Sequence, residues 1–415
     1  MISRMHTVSP TLGINERIQA LRAAGRSIHH FGFGEAPFPA LPRLADALRD
    51  HAAAKAYLPV AGLPALREAV LAHQARLTGC DPDRFDVLIG PGSKLLLFAI
   101  QLAIPGDLLL PVPSWVSYSP QAALLGQRVV PVPTELSDAG YGLDAAAIGT
   151  AIAQARQQGL NPTKLLINFP NNPAGLSIDD DTLHAIGEVC RRHGVTLISD
   201  EIYGRVSYDQ LYRSAAGVYP EGTLVTSGLS KHLSLGGWRL GVALVPRAVS
   251  GLFERLSFIA SETWSCVAAP VQYAGCEAYA GHDDIEAGVH DMTAIHAIVN
   301  GGVAQALRDV GIDCPLPQGG FYSWPDFGPV LGGAFTGSDA LATALLEEQG
   351  IATLPGTAFG ERADTLKLRL ASCDYDGGEA LARHRDGARD LPSLAPTIEA
   401  GLDGFARFIE RHRTA

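Results

Sequence analysis

The sequence predicts an α/β fold on a mostly parallel sheet, followed by a smaller α+β part. Three observations predict it. Short apolar runs alternate with helical stretches between Pro64 and Arg247. The polar clusters along this stretch, at Ser93, Trp115, Asn172, Asp200, Tyr203 and Lys231, each follow the end of an apolar run. After Arg247 the alternation stops and helical segments run to about Leu307.

In order, the chain opens with a helical stretch around Asn15 to Ala24, then a loop, His30-Phe-Gly-Phe-Gly-Glu-Ala-Pro-Phe-Pro, punctuated by Gly32 and Gly34. Pro64 starts a helix with Leu66, Ala69, Val70 and Leu77 on one side. Strands are expected at Phe85 to Ile89, Leu108 to Val112, Arg128 to Val132, Lys164 to Phe169, Val195 to Ser199, Thr223 to Thr226 and Leu240 to Val245. Helices are expected at Leu95 to Ile104, Gly142 to Gln158 and Asp180 to His193. The last of these carries acids at its start and bases at its end, as the helix dipole favours. Beyond them come a long helix over Asp284 to Asp309, a strand over Gly319 to Trp324, a helix over Ser338 to Gln349, a strand over Leu366 to Ala371 and a last helix from Pro396 to His412. Residues 373–395 read as a polar, loop-like and unusually long connection.

The bulk numbers narrow the function classes. A formal net charge of −11 over 415 residues argues against nucleic acid and anionic membranes as partners. Six scattered cysteines without a Cys-x-x-Cys pair fit a reducing cytoplasm rather than a disulfide scaffold or a zinc site, so no metal is expected. No apolar run approaches membrane-spanning length.

In parallel sheets ligands gather at strand C-terminal ends, so the polar clusters are expected to share one site. Lys231 follows such an end, and Arg239 follows it within a Gly-rich turn. A lysine amine in a dry site is a nucleophile, and arginine suits a phosphate. Together they match an aldehyde cofactor with a phosphate tail, pyridoxal 5'-phosphate. Such a cofactor needs an acid beside its pyridine nitrogen, donors for its ring oxygen, phosphate anchors and a flat surface against its ring. Asp200 at the end of a buried strand is the acid, since a buried carboxylate needs a cationic partner. Asn172 and Tyr203 offer an amide and a hydroxyl. Arg239 and the N–H groups after Gly92, at Ser93 and Lys94, offer a phosphate cradle at a helix N-terminus. Trp115 offers the flat face. Each of these is individually more often structural, Asn171-Asn172-Pro173 as a turn, Asp200 as a cap, Trp115 as core. Their joint placement favours a site.

Asn168-Phe-Pro-Asn-Asn-Pro-Ala-Gly175, Asp200-Glu-Ile-Tyr203, and Ser230-Lys231 with Gly237-Trp-Arg-Leu-Gly241 resemble the signature segments of class I/II aminotransferases, pyridoxal-phosphate enzymes of fold type I. Tyr57, Gly62-Leu-Pro-Ala-Leu-Arg67, Pro113-Ser-Trp115, Gly319-Gly-Phe-Tyr322 and Leu368-Arg369-Leu sit in family order. The resemblance implies a seven-stranded, mostly parallel sheet in a large domain (46–290), a small domain from both termini (1–45 and 291–415), and a homodimer with shared sites. It implies that Lys231 holds the cofactor covalently, that Asp200 pairs with the pyridine nitrogen, and that Asn172 and Tyr203 contact the ring oxygen. Arg239, Gly92, Ser93 and Lys94 bind phosphate, Tyr57 reaches the partner's phosphate, and Trp115 stacks on the ring. Arg369 forks onto the substrate α-carboxylate, and Gly34 lets that carboxylate near the backbone. Ala174 stands where the family turn has Thr. Gly228 stands where a hydroxyl often touches phosphate, leaving Ser227 or Ser230 as substitutes.

The implied activity is amino transfer between an L-amino acid and a 2-oxo acid by a ping-pong route. The alternative is another pyridoxal-phosphate reaction, a β-lyase or oxidase type. A ligand-sensing regulator is disfavoured by the acidic charge and by the short stretch of about 30 residues ahead of the motifs. Phe31, Phe33 and Phe38 read equally as an apolar lid over the site, which would favour neutral or aromatic side chains, or as core.

Overall fold

The structure is a computed structural model that describes residues 10–413; the outermost residues of the expected small domain, 1–9 and 414–415, lie outside the described residues. Its centre is a seven-stranded sheet. We number its strands β1 (Phe85–Gly90), β2 (Asp107–Val112), β3 (Val129–Pro133), β4 (Pro162–Asn168), β5 (Thr196–Asp200), β6 (Thr223–Gly228) and β7 (Gly241–Pro246). The spatial order is β1-β7-β6-β5-β4-β2-β3. Strands β6, β5, β4, β2 and β3 run parallel, and β7 alone runs antiparallel to both of its neighbours.

The strands are apolar at nearly every position because both faces are covered. Successive side chains point to opposite faces. Leu165, Ile167 and Leu197 pack with Ile148, Ile152, Leu183 and Ile186 of the helices Ala145–Gln157 and Asp180–His193. Leu166 and Ile198 pack the other way, with Leu96, Leu97 and Ile100 of the helix Ser93–Ala103. Gly228 is confined to glycine by the antiparallel neighbour: a Cβ there would lie 2.6 Å from the Leu240 carbonyl oxygen and 3.0 Å from Gly241 Cα. Backbone atoms cannot yield to such a clash, so no hydroxyl-bearing side chain fits at 228.

A three-stranded antiparallel sheet forms the second part, with strands β8 (Tyr322–Ser323), β9 (Leu354–Pro355) and β10 (Leu368–Ala371) in the order β8-β10-β9. The N-terminal segment packs beside it: His29–His30 pairs in parallel with Ile351–Ala352 as a separate two-stranded sheet, and the Ala371 N–H donates to the Phe31 carbonyl (2.8 Å). The long helix Asp283–Asp309 contributes Asn300, fully buried, which ties the sheet together. Its amide nitrogen donates to the Tyr322 carbonyl (2.9 Å) and to the Tyr208 hydroxyl (3.1 Å). Its amide oxygen accepts from Ser323 Oγ (2.9 Å) and Ser372 Oγ (3.0 Å).

Three expectations change, and one open alternative is resolved. Residues 373–395 are not a loop: they hold helices Gly377–Arg385 and Leu391–Leu394, each with an N-terminal aspartate cap, Asp376 and Asp390. Ala380, Leu381, Leu391 and Leu394 are buried in the core, so an apolar stripe was hidden among charges. The segment packs on the helix Asp283–Asp309 and does not line the site cavity. The helix expected from Gly142 begins at Ala145, capped by Asp144, because Gly140–Gly142 pairs with Glu135–Ser137 in a hairpin. The expected strand over Gly319 to Trp324 shortens to β8. Of the three phenylalanines read as either lid or core, Phe31 and Phe38 are core: Phe31 packs on Phe405 (5.6 Å between ring centroids) and Phe38 on His296 (5.0 Å). Only Phe33 lines the cavity.

Candidate active site

A cavity of about 350 Å³ opens at the C-terminal ends of the parallel strands. Gly34, Ser93, Lys94, Trp115, Asn172, Asp200, Tyr203, Ser230, Lys231, Arg239 and Arg369 all line it. Two expected residues do not. Gly92 lies just behind the wall as the N-cap of the helix Ser93–Ala103, at φ +88°, beside the Arg239 guanidinium. Tyr57 is 91% exposed and does not line the cavity.

The sheet register sets the floor. Asn168 and Asp200, at the ends of β4 and β5, stand side by side with Thr226, two residues before the end of β6. Asp200 is buried; its two oxygens accept from Tyr118 Oη (2.8 Å) and Thr226 Oγ1 (3.1 Å). Burial pushes its pKa up from 3.8 to about 6, against the lowering effect of these bonds, of the Ile202 N–H and of the Lys231 charge. Asn168 fixes the turn above it. Its amide donates to the Asp200 carbonyl (2.7 Å), and its amide oxygen accepts from the Asn172 N–H (2.8 Å). The Asn172 amide oxygen is buried without a partner among the described residues.

The raised Asp200 pKa gives a pH signature. Between 3.8 and about 6 the folded protein holds a proton that the unfolded chain has released. This group's contribution to stability is therefore complete below 3.8 and is lost as pH rises through about 6. Without cofactor, native protein is expected to lose stability relative to an Asp200→Asn variant across that window. Urea unfolding midpoints of the two proteins, compared across that pH range, check it.

The cavity walls carry the cations. Lys231 Nζ donates to the Gly34 carbonyl (2.7 Å) and lies 5.7 Å from the Tyr203 ring centroid and 5.4 Å from that of Phe321. Lys94, on the first turn of the helix Ser93–Ala103, lies 5.4 Å from the Trp115 ring centroid. Burial and the Arg239 charge lower its pKa. Arg239 takes a left-handed backbone (φ +54°) and donates to the Gly236 carbonyl (2.8 Å). Ser230 lines the cavity, whereas Ser227 turns toward the Glu201 carbonyl (3.5 Å).

Arg369, on β10, is 1% exposed. Its guanidinium carbon lies 4.6 Å from the Tyr322 ring centroid and 5.3 Å from that of Phe359, and Nη2 donates to the Gly32 carbonyl. Nε has no partner, and among the described residues no carboxylate faces it; burial lowers its pKa. A buried guanidinium without a counter-ion is poised for an anionic ligand. The cavity thus holds a buried carboxylate and a buried guanidinium that do not pair with each other. A protonated pyridine fits the first and an α-carboxylate the second, so the residues present fit pyridoxal phosphate and an amino acid.

Four residues at the site were given no role from sequence, Tyr118, Asn168, Thr226 and Tyr322, although Asn168 and Tyr322 fall inside the segments that carry the resemblance. Asn168 and Thr226 could have been found: Asn168 ends one strand beside that of Asp200, and Thr226 ends the apolar run expected for the other. Tyr118 closes the Pro113-Ser-Trp-Val-Ser-Tyr run after β2 and was legible only as part of that cluster.

Fold and cavity together define a pyridoxal-phosphate enzyme of fold type I. Comparison with known proteins narrows this. The family model described as "Aminotransferase class I and II" matches residues 27–384. An aspartate aminotransferase of Geobacillus stearothermophilus is 34% identical over 384 residues, spanning 88% of this chain and 92% of that protein. An aspartate/prephenate aminotransferase of Cereibacter sphaeroides is 30% identical over 391 residues, spanning 90% and 94%. Among solved structures, aspartate aminotransferase from Thermus thermophilus with maleate superposes with a TM-score of 0.83 at 26% identity, covering 97% of each chain. The chain belongs to the class I and II aminotransferases, which use pyridoxal 5'-phosphate. It is a pyridoxal-phosphate-dependent aminotransferase that moves an amino group between an amino acid and a 2-oxo acid, and the β-lyase or oxidase alternative is not favoured. Among the described residues no helix is long and apolar enough to cross a membrane.

Proposed function

We propose that Lys231 is the residue that holds pyridoxal phosphate and moves the substrate Cα proton, in a ping-pong transfer from an L-amino acid. The observation that carries this reading is the sharing of one cavity by Lys231, Asp200 and Arg369. When bound, the cofactor supplies an electron sink that lets a Cα proton depart. Asp200 accepts from the protonated pyridine nitrogen, held in place by Tyr118 and Thr226. Asn172 and Tyr203 donate to the ring oxygen. Arg239, Ser230 and the N–H groups of Ser93 and Lys94 hold the phosphate, where the helix N-terminus adds partial positive charge. Trp115 covers a ring face. Arg369 grips the α-carboxylate through two parallel hydrogen bonds, a geometry lysine does not offer. Gly34 keeps the backbone close to that carboxylate; its bare Cα also leaves room for the Tyr322 hydroxyl, 2.0 Å from where a Cβ would stand.

The exposed Tyr57 supports a homodimer in which this ring reaches the phosphate of a second copy. The division into a large unit, 46–290, and a small one, 1–45 with 291–415, belongs to the same reading, with the helix Asp283–Asp309 bridging the two. The six scattered, unpaired cysteines support a cytoplasmic setting.

The test is a half-reaction. Aspartate is the first donor to try, since it names the relatives. Cofactor-loaded protein mixed with a donor and no acceptor is expected to release one equivalent of 2-oxo acid per site and then stop. Continued release, or release of ammonia, would contradict the ping-pong reading.

A further inference from the structure

Tyr322 has no role in the reading so far, yet it stands where the two halves of the cavity meet. It sits on β8, 2% exposed, with its carbonyl fixed by Asn300. Its hydroxyl lies 2.9 Å from the Tyr203 hydroxyl, and the two rings are edge-on at 80°. Its face lies 4.6 Å from the Arg369 guanidinium carbon, within cation–π range. The hydroxyl also fills the space beside Gly34. One side chain therefore touches the proposed ring-oxygen donor, the proposed carboxylate anchor and the backbone beside the catalytic lysine.

Hydrogen counting sets the direction of the tyrosine pair. Two hydroxyls carry two hydrogens and share one bond. Were Tyr203 the donor in that bond, it would offer only lone pairs to an anionic ring oxygen. With Tyr322 donating, the Tyr203 hydrogen is free for that oxygen. A donor that is itself accepting a hydrogen bond is polarised and donates more strongly.

We propose that Tyr322 is a positioning residue for amino transfer: its hydroxyl donates to Tyr203 and strengthens that residue's hydrogen bond to the cofactor, while its ring sets the plane of Arg369. The cofactor and carboxylate subsites are thereby coupled through one side chain. This rests on the assignment of Tyr203 as ring-oxygen donor, and the experiment separates the two.

The readout is the pH midpoint at which the absorbance of the bound cofactor changes, in native protein, Tyr322→Phe, Tyr203→Phe and the double variant. A donor to the ring oxygen stabilises its negative charge, which is greatest in the deprotonated chromophore, so weakening the donor raises the midpoint. Tyr322→Phe is expected to raise it by about 0.5 pH unit, roughly threefold in acid constant. Tyr203→Phe is expected to raise it by about 1 unit, and the double variant by no more than Tyr203→Phe alone. Tyr322→Phe keeps the ring and is expected to leave KM for the amino donor within about twofold, whereas Tyr322→Leu raises it roughly tenfold. An unmoved midpoint in Tyr322→Phe, with a moved one in Tyr203→Phe, overturns the coupling and leaves the Tyr203 assignment standing. So does a double variant whose shifts simply add. An unmoved midpoint in Tyr203→Phe overturns that assignment and the coupling with it. An unchanged KM in Tyr322→Leu overturns the Arg369 half.

Discussion

Replacing Lys231 with alanine is expected to lower kcat by about four orders of magnitude or more while leaving the fold intact. In the proposed reading the side chain supplies both the nucleophile that holds the cofactor and the base that moves the Cα proton. Positioned proton transfer alone contributes about 10²–10⁴-fold, and covalent attachment adds to it. The structural share of Lys231 is small by contrast, one hydrogen bond to the Gly34 carbonyl from a half-buried side chain. The melting temperature of the unloaded variant is therefore expected to stay near that of native protein. Asp200, Asn172 and Arg239, the other proposed cofactor contacts, are untouched, so the variant is expected still to bind pyridoxal phosphate, now removable by dialysis. Single-turnover kinetics and dialysis against phosphate buffer check both halves.

Replacing Arg369 is the second large effect, and it separates function from stability. Removing a desolvated charge partner from a carboxylate costs about 2–5 kcal/mol, so kcat/KM for the amino donor is expected to fall roughly 10²–10³-fold, mostly through KM. Arg369→Lys recovers only part of this, because a point charge cannot reproduce two parallel hydrogen bonds. Stability moves the other way. Unliganded protein carries this guanidinium buried, with Nε unpartnered and no carboxylate facing it among the described residues. Replacing a buried charge with an apolar side chain of similar length is commonly neutral or stabilising. Arg369→Met protein is therefore expected to melt at the native temperature or above it. A structural role for Arg369 would show the reverse, a lowered melting temperature with KM little changed.

The sheet and most of the cavity were legible in the sequence for one physical reason. Parallel strands covered on both faces are continuous apolar runs, and whatever polar residue follows such a run stands at the ligand edge. Asp200 and Asn172 were placed by that rule alone, and Lys231 by the same rule applied to β6. What the rule does not reach is chemistry delivered by tertiary packing. Tyr322 comes from a different sheet and meets Tyr203 across 119 residues of chain. Asn300 sits mid-helix, where an amide ordinarily faces water, yet all of its hydrogen-bonding groups are spent inside. Lys164 is a charge in a buried strand, explained only when its amine is seen donating to the Ile104 and Gly106 carbonyls (2.8 and 2.6 Å). Residues 373–395 failed differently. Their charged residues outnumber a short apolar stripe, so helical periodicity was masked.

The chain has five lysines, and two of them, Lys94 and Lys231, line the cavity. Reducing the cofactor-loaded protein with borohydride, digesting it and sequencing the labelled peptide by mass spectrometry decides between them. The cofactor mass is expected on the amine of Lys231, in near one-to-one yield. A label on Lys94, or no labelled peptide at all, would contradict the assignment on which the site is built.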